Sequence, residues 1–303
     1  MHATTADRGC ADRRTLLPSR VRPALSGLAL LAATVLLAAA CTASEGAATT
    51  EGGVYETVRD RGELRAGIRF DNPPHSFIRD DEWVGFDMDI AEALARELDV
   101  ELDPVRVDEL TRISFLQNGR IDVAVASMSQ TIERHREVDF SETYFCANQT
   151  FLVRDGEVAE LHDLAGQQVG VSRGSHSLGN WRDWLTDNGY SFDPDLIVEF
   201  DSKEAAAEAV QQGAIAGWAE DFTILTGFAR RFPELTVLDE SIGSKLDGIG
   251  VPENDSVWRD EINFALQRII ASGEYDEIYD RWFGPQSDTP VPPQCELEVW
   301  PVG

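Results

Sequence analysis

Gly85-Phe-Asp-Met-Asp-Ile90-Ala-Glu-Ala-Leu94-Ala95-Arg-Glu-Leu98 is the stretch from which the rest of this 303-residue chain can be read. Ile90, Ala91, Leu94, Ala95 and Leu98 recur at helical spacing, which predicts an amphipathic helix over 87–98. Gly85 and Asp87 offer the turn and cap that start it. Just upstream, 64–68 reads as a short strand, and Asp71-Asn72-Pro73-Pro74 breaks it because two prolines cannot continue a ladder. Strand, break and helix make one β-α unit.

Working outward, the unit repeats. Residues 100–107 read as extended, and 112–117 as a short helix closed by Asn118-Gly119. The apolar density of 121–126 predicts a buried strand running into Ser127-Met128-Ser129-Gln130, with a helix expected over 132–137. Past Cys146 the alternation restarts. Strands are expected at 150–153, 168–172, 196–200, 215–219, 235–238 and 248–251. Helices are expected at 179–188, 202–212, 220–230, 255–272 and 275–283, before a proline-rich tail from Gly284. Alternating β and α units predict parallel sheets with helices on both faces, and two successive sets predict an α/β fold of two lobes. Ligands of such sheets sit beyond the carboxyl ends of the strands, at helix N-termini. The loops at 67–74, 127–130, 173–177 and 219–221 hold that position, so a cleft between lobes is the expected site.

The N-terminus carries a different signal. Arg8, Arg13, Arg14, Arg20 and Arg22 precede an apolar run over 24–40 that ends Leu37-Ala38-Ala39-Ala40-Cys41. Basic, apolar and then small residues describe an export signal at 1–40. Cys41 directly after three alanines resembles a bacterial lipobox, which makes Cys41 the lipidated first residue. A plain secretory signal is the alternative, and Arg13-Arg14 also looks like a twin-arginine motif. Residues 42–53 are small and polar, so 41–54 reads as a lipidated tether holding the folded body off the membrane.

The chain holds 26 Lys+Arg against 54 Asp+Glu; removal of 1–40 leaves 21 basic and 52 acidic residues, a net charge of −31. Such a surface repels phosphate, and no Lys/Arg run interleaves with aromatics, so nucleic acid is not an expected partner. The five histidines are scattered without ligand spacing, so neither a metal nor another cofactor is expected. Without Cys10 and Cys41, Cys146 and Cys295 remain. In an exported body they form either a disulfide or two free buried thiols.

The 85–98 stretch resembles the signature of family 3 extracellular solute-binding proteins, the amino-acid receptors of ABC importers, and the resemblance extends over 55–283. It implies a two-lobe, type II periplasmic-binding-protein-like fold with two hinge strands. Lobe 1 would be discontinuous, 55–147 with 250–303, and lobe 2 would be 148–249. The hinge crossings are placed near 145–151 and 248–252, close to both cysteines, which favours the disulfide. The family's carboxylate-gripping arginine falls on Arg134 of Ser127-Met-Ser129-Gln-Thr-Ile-Glu-Arg134. A planar guanidinium suits that task through two parallel hydrogen bonds. Ser127, Ser129 and the Gly174-Ser175 backbone would add donors to the carboxylate, and Asp221 would take the ligand ammonium, with Glu220 adjacent. Asn72, in the loop after the first strand, joins the expected contacts.

Arg69 and Arg112 match basic positions of members that bind acidic amino acids, and Lys203 falls at a third. A second carboxylate needs such cations because its desolvation is otherwise costly. The implied function is capture of glutamate or aspartate by a monomeric lipoprotein on the outer face of the membrane, for delivery to an ABC permease. A sensor lipoprotein feeding a signalling pathway is the alternative. An enzyme resembling the dehydratases of this fold is a remote one, with His176, Glu109 or Glu220 as acid or base. An arginine-rich site favours holding carboxylates over moving protons.

Overall fold

The computed structural model describes residues 53–301. The export signal, Cys41 and the tether up to residue 52 lie outside them. Helix α1 (Val54–Arg61) ends at Gly62, in the left-handed region at φ 71, and leads into β1 (Glu63–Arg69). The proline break is more ordered than expected. Strands β2 (Asp71–Asn72), β3 (Ser76–Arg79) and β4 (Glu82–Val84) form a small antiparallel sheet. Helix α2 (Phe86–Glu97) is the quoted amphipathic stretch. Its N-cap is Gly85 at φ 133, where a Cβ would stand 2.3 Å from the His75 carbonyl, so only glycine fits.

Next come β5 (Glu101–Val107), α3 (Arg112–Gln117) and β6 (Val123–Val125). The helix expected over 132–137 is a single 3₁₀ turn, Arg134–Arg136, closed by Thr131, whose carbonyl accepts from His135 N. Strand β7 (Asp139–Arg154) follows at once and leaves no room for a longer helix. The second set runs β8 (Val169–Ser172), α4 (Ser177–Asp187), β9 (Ile197–Phe200), α5 (Lys203–Gln211), β10 (Gly217–Asp221), α6 (Phe222–Arg231) and β11 (Leu235–Val237). Strand β12 (Gly243–Val251) leads back to α7 (Ser256–Ala271) and α8 (Glu274–Phe283).

The strand order β5-β1-β6-β12-β7-β10-β8-β9 explains how two lobes arise. One parallel trio, β5-β1-β6, forms the first lobe, and a second, β10-β8-β9, forms the other. The long strands β7 and β12 pair antiparallel between them and belong to both, with a register shift at Asp247/Gly248. Each trio is covered on both faces. In the first lobe, Phe86 is fully buried and its ring meets Tyr144, Phe145, Tyr275, Tyr279 and Phe283 at centroid distances of 5.2 to 6.2 Å. Truncating such a ring costs about 3–5 kcal/mol. Cys146 of β7 is bonded to Cys295, with Cα atoms 5.9 Å apart, so the tail is tied to a strand that both lobes share.

Candidate functional site

Where the strands of both trios end, the lobes meet around a cavity of about 10 Å³. That is room for roughly one water molecule. Of the ten expected ligand contacts, Arg69, Asn72, Arg112, Ser127, Ser129, Arg134, Ser175 and Asp221 line it. Gly174 and Lys203 stand just behind the wall. Glu109, Gln149, His176, Glu220, Ile224 and Lys245 complete the lining. An amino acid is far larger than this space, so binding one requires the lobes to part about β7 and β12.

The first-lobe wall is held by a buried network around Asp87, which does not cap α2. Its Oδ2 accepts from Ser127 Oγ at 2.9 Å and its Oδ1 from Tyr144 Oη at 2.9 Å. Burial disfavours the Asp87 charge, but the His75 ring at 3.8 Å and the two hydroxyls outweigh it and hold the carboxyl below its usual value. Asn72 Nδ2 donates to Ser127 Oγ at 3.1 Å, leaving Asn72 Oδ1 buried without a donor. Ser127 itself sits at φ 46, a strained conformation for a non-glycine residue, fixed by these bonds. Across the lobes, His75 Nε2 lies 3.1 Å from Thr223 Oγ1, fully buried.

The cations fall into three sets. Arg69 meets Glu109 and also donates to Asp71 at 3.0 Å, and these two carboxylates outweigh its burial and raise its pKa. Lys203 Nζ donates to Glu220 Oε2 at 2.7 Å and reaches Glu109 Oε1 at 3.5 Å. Glu109, nearly buried, is held well below the usual carboxylate range because Arg69, Lys203 and Arg112 overcome its desolvation. Lys245 Nζ lies between Asp221 Oδ2 and Asp247 Oδ2, the latter at 3.0 Å. Burial dominates at Asp247 and pushes its carboxyl up to about 6, whereas Lys245 and Gln149 hold Asp221 low against its desolvation.

Arg112 and Arg134 differ: among the described residues neither has a carboxylate within ion-pair distance. Arg112 Nη1 donates to the Ala126 carbonyl at 2.7 Å, and its buried Nε has no acceptor. Burial and the neighbouring Arg134 charge bring its pKa down to about 9. Arg134 donates to the carbonyls of Ser129 and Gly174, both at 2.9 Å, and burial lowers its pKa too. The expected role of the Gly174-Ser175 backbone is altered, because Ser175 N–H is already taken by the Ser172 carbonyl at 3.1 Å.

Gln149, Lys245 and Asp247 escaped the sequence reading. On β12, Lys245 and Asp247 are buried while Leu246 between them is 48% exposed, the reverse of the pattern a solvent-facing strand shows.

Comparison with known proteins gives a consistent picture. Residues 64–285 match the bacterial extracellular solute-binding proteins, family 3. The ABC transporter glutamine-binding protein GlnH of Bacillus subtilis is 30% identical over 272 residues, covering 85% of this chain and 95% of its own. An ancestral arginine-binding protein, solved bound to glutamine, is 33% identical with a TM-score of 0.66, covering 74% of this chain and 99% of its own. The ancestral amino acid-binding protein AncCDT-1, a precursor of cyclohexadienyl dehydratase, is 27% identical with a TM-score of 0.68, covering 76% and 100%.

Proposed function

This chain belongs to the family 3 bacterial extracellular solute-binding proteins, and on that premise we propose that it captures an acidic amino acid, glutamate or aspartate, for an ABC importer. The observation that carries the acidic reading is the pair of guanidiniums, Arg112 buried and Arg134 half-buried, neither with a carboxylate within ion-pair distance among the described residues. A buried cation beside a half-buried one raises the energy of the site until anions arrive. A ligand with two carboxylates supplies one for each. Its ammonium goes to Asp221, which retains lone pairs beyond those used by Gln149 and Lys245. Glutamine, named for GlnH and present in the ancestral protein's structure, has one carboxylate and leaves one guanidinium unanswered.

The activity is binding and release, without chemistry. Glu109, an acid–base candidate, is held ionised by Arg69 and Lys203, which suits a scaffold and not a proton shuttle. Residues 1–40 act as the export signal, Cys41 as the lipid anchor, and 41–54 as the tether of a monomer on the outer face of the membrane. The lobes divide at 147/148 and 249/250. Among the described residues no helix is long and apolar enough to cross a membrane. Loss of incorporated lipid label in Cys41→Ala tests the anchor, and an unchanged label refutes it.

Thermal unfolding of the mature body with a panel of amino acids tests the ligand class. A ligand at one hundred times its Kd stabilises by about 2.7 kcal/mol. Glutamate or aspartate is expected to raise Tm most. A larger rise with glutamine or arginine overturns the acidic reading.

A further inference from the structure

The structure assigns to Lys245 a role beyond the fold: it is a resident cation in the cavity wall that sets the charge of the ligand side chain, rejecting cationic amino acids. The inference rests on the amino-acid-binding reading and adds a specificity determinant to it.

Lys245 is the cavity-lining cation furthest from ordinary protein chemistry. It sits on β12, 6% exposed, with Nζ held by Asp221 on one side and Asp247 on the other. Lysine is rarely buried unless paired, because removing an ammonium from water is costly. Two carboxylates meet that cost here, and with Asp221 first among them they outweigh burial and raise the Lys245 pKa. The charge is therefore permanent at neutral pH. The position is fixed as well, since one carboxylate comes from β10 and the other from β12 itself. An ammonium has three donors; Asp221 takes one N–H in a hydrogen bond and Asp247 holds the charge as an ion pair, so donor capacity remains for the cavity that Lys245 lines.

A fixed ammonium with donor capacity to spare discriminates by sign. A ligand carboxylate or amide oxygen accepts that N–H. A side-chain ammonium or guanidinium adds a positive charge beyond the α-ammonium that Asp221 answers, in a cavity that Lys245 already makes positive and where water screens little. Lys203, the third cation expected from the sequence, cannot do this, because it stands behind the wall and spends its charge on Glu220 and Glu109. Asp247 is a positioning residue: it does not line the cavity. Its oxygens are buried without a hydrogen-bond donor, and the Lys245 ion pair is their compensation.

The test is calorimetric titration of wild type and Lys245→Met with glutamate, glutamine and arginine. Against arginine, the affinity ratio for glutamate is expected to fall at least about tenfold in Lys245→Met, a change of 1.4 kcal/mol, with glutamine in between. Asp247→Asn keeps the cation and loosens it, and is expected to shift the ratio in the same direction by less. If Lys245→Met does not fold, because Asp221 and Asp247 then face each other unshielded, Lys245→Met/Asp247→Asn removes that repulsion and is read in the same way. A folded variant with unchanged ratios overturns the role of Lys245. A wild type that prefers glutamine overturns the acidic reading alone, and the Lys245 shift toward arginine still decides this one. A wild type that prefers arginine, or binds no amino acid, overturns both.

Discussion

Two groups of arginines share one cleft, and they are treated oppositely. Arg69 belongs to a quartet with Glu109, Lys203 and Glu220, in which every charge is answered and the two lobes are bridged by Glu109 and Lys203. Arg112 and Arg134 donate hydrogen bonds only to backbone carbonyls, and the carboxylates that act on them, Glu109 and Asp247 first among them, do so from beyond ion-pair distance. The quartet behaves as structure: it is complete without help. The pair behaves as a receptor: Arg112 is buried, Arg134 half-buried, and neither is matched by an ion pair. The lesson is that a cation in a binding cleft is informative by what it lacks, and its position alone does not say which kind it is.

Substitutions should separate the two. The largest effect is expected on stability, from Glu109→Gln, which strips the quartet of its shared anion and leaves Arg69 and Lys203 facing each other. Breaking a buried ion pair in this way costs about 3–5 kcal/mol, measurable by denaturant unfolding. Next, Arg134→Ala should weaken ligand binding by roughly 30–150-fold, the equivalent of about 2–3 kcal/mol for a sheltered charged hydrogen bond, and change unfolding little. Arg112→Met should weaken glutamate about tenfold or more, yet leave stability unchanged or higher, because a desolvated charge is removed. If Arg112→Met unfolds the protein as Glu109→Gln does, the distinction between the groups fails.

Acid titration offers a further separation. The Glu109 pKa is lowered in the folded state, so its contribution is complete above the unfolded value of about 4.3 and drains away as pH falls below it. Glu109→Gln should flatten that part of the unfolding profile. Arg112→Met, which removes the weakest of the three cations acting on Glu109, should blunt it less. The smallest effect belongs to Arg173, at 44% side-chain exposure beside Glu199 and Asp201. Arg173→Ala should change stability and binding by under about 0.5 kcal/mol. A larger loss would place it in the receptor group.

Much of this was legible from residue order. Periodicity places α2 within a residue, and the family signature brings Arg69, Arg112, Arg134 and Asp221 to one cleft. Strand β7 was not legible as one 16-residue element, because it is buried on both faces and shows no period of two across Cys146. The partners of the cations were not legible either. Glu109 lies 40 residues from Arg69 and 94 from Lys203, and only closure of the lobes brings the three together. Lys245 and Asp247 were hidden for the same reason: their inward direction is set by the pairing of β12 with β7, not by local sequence.

The most direct measurement is isothermal titration of the mature protein with glutamate and glutamine, two ligands of nearly equal shape that differ by one carboxylate charge. If Arg112 and Arg134 form an unanswered pair that the ligand completes, glutamate binds at least about tenfold tighter, and Arg112→Met narrows that gap. Equal affinities, or a preference for glutamine that Arg112→Met leaves untouched, would contradict the account.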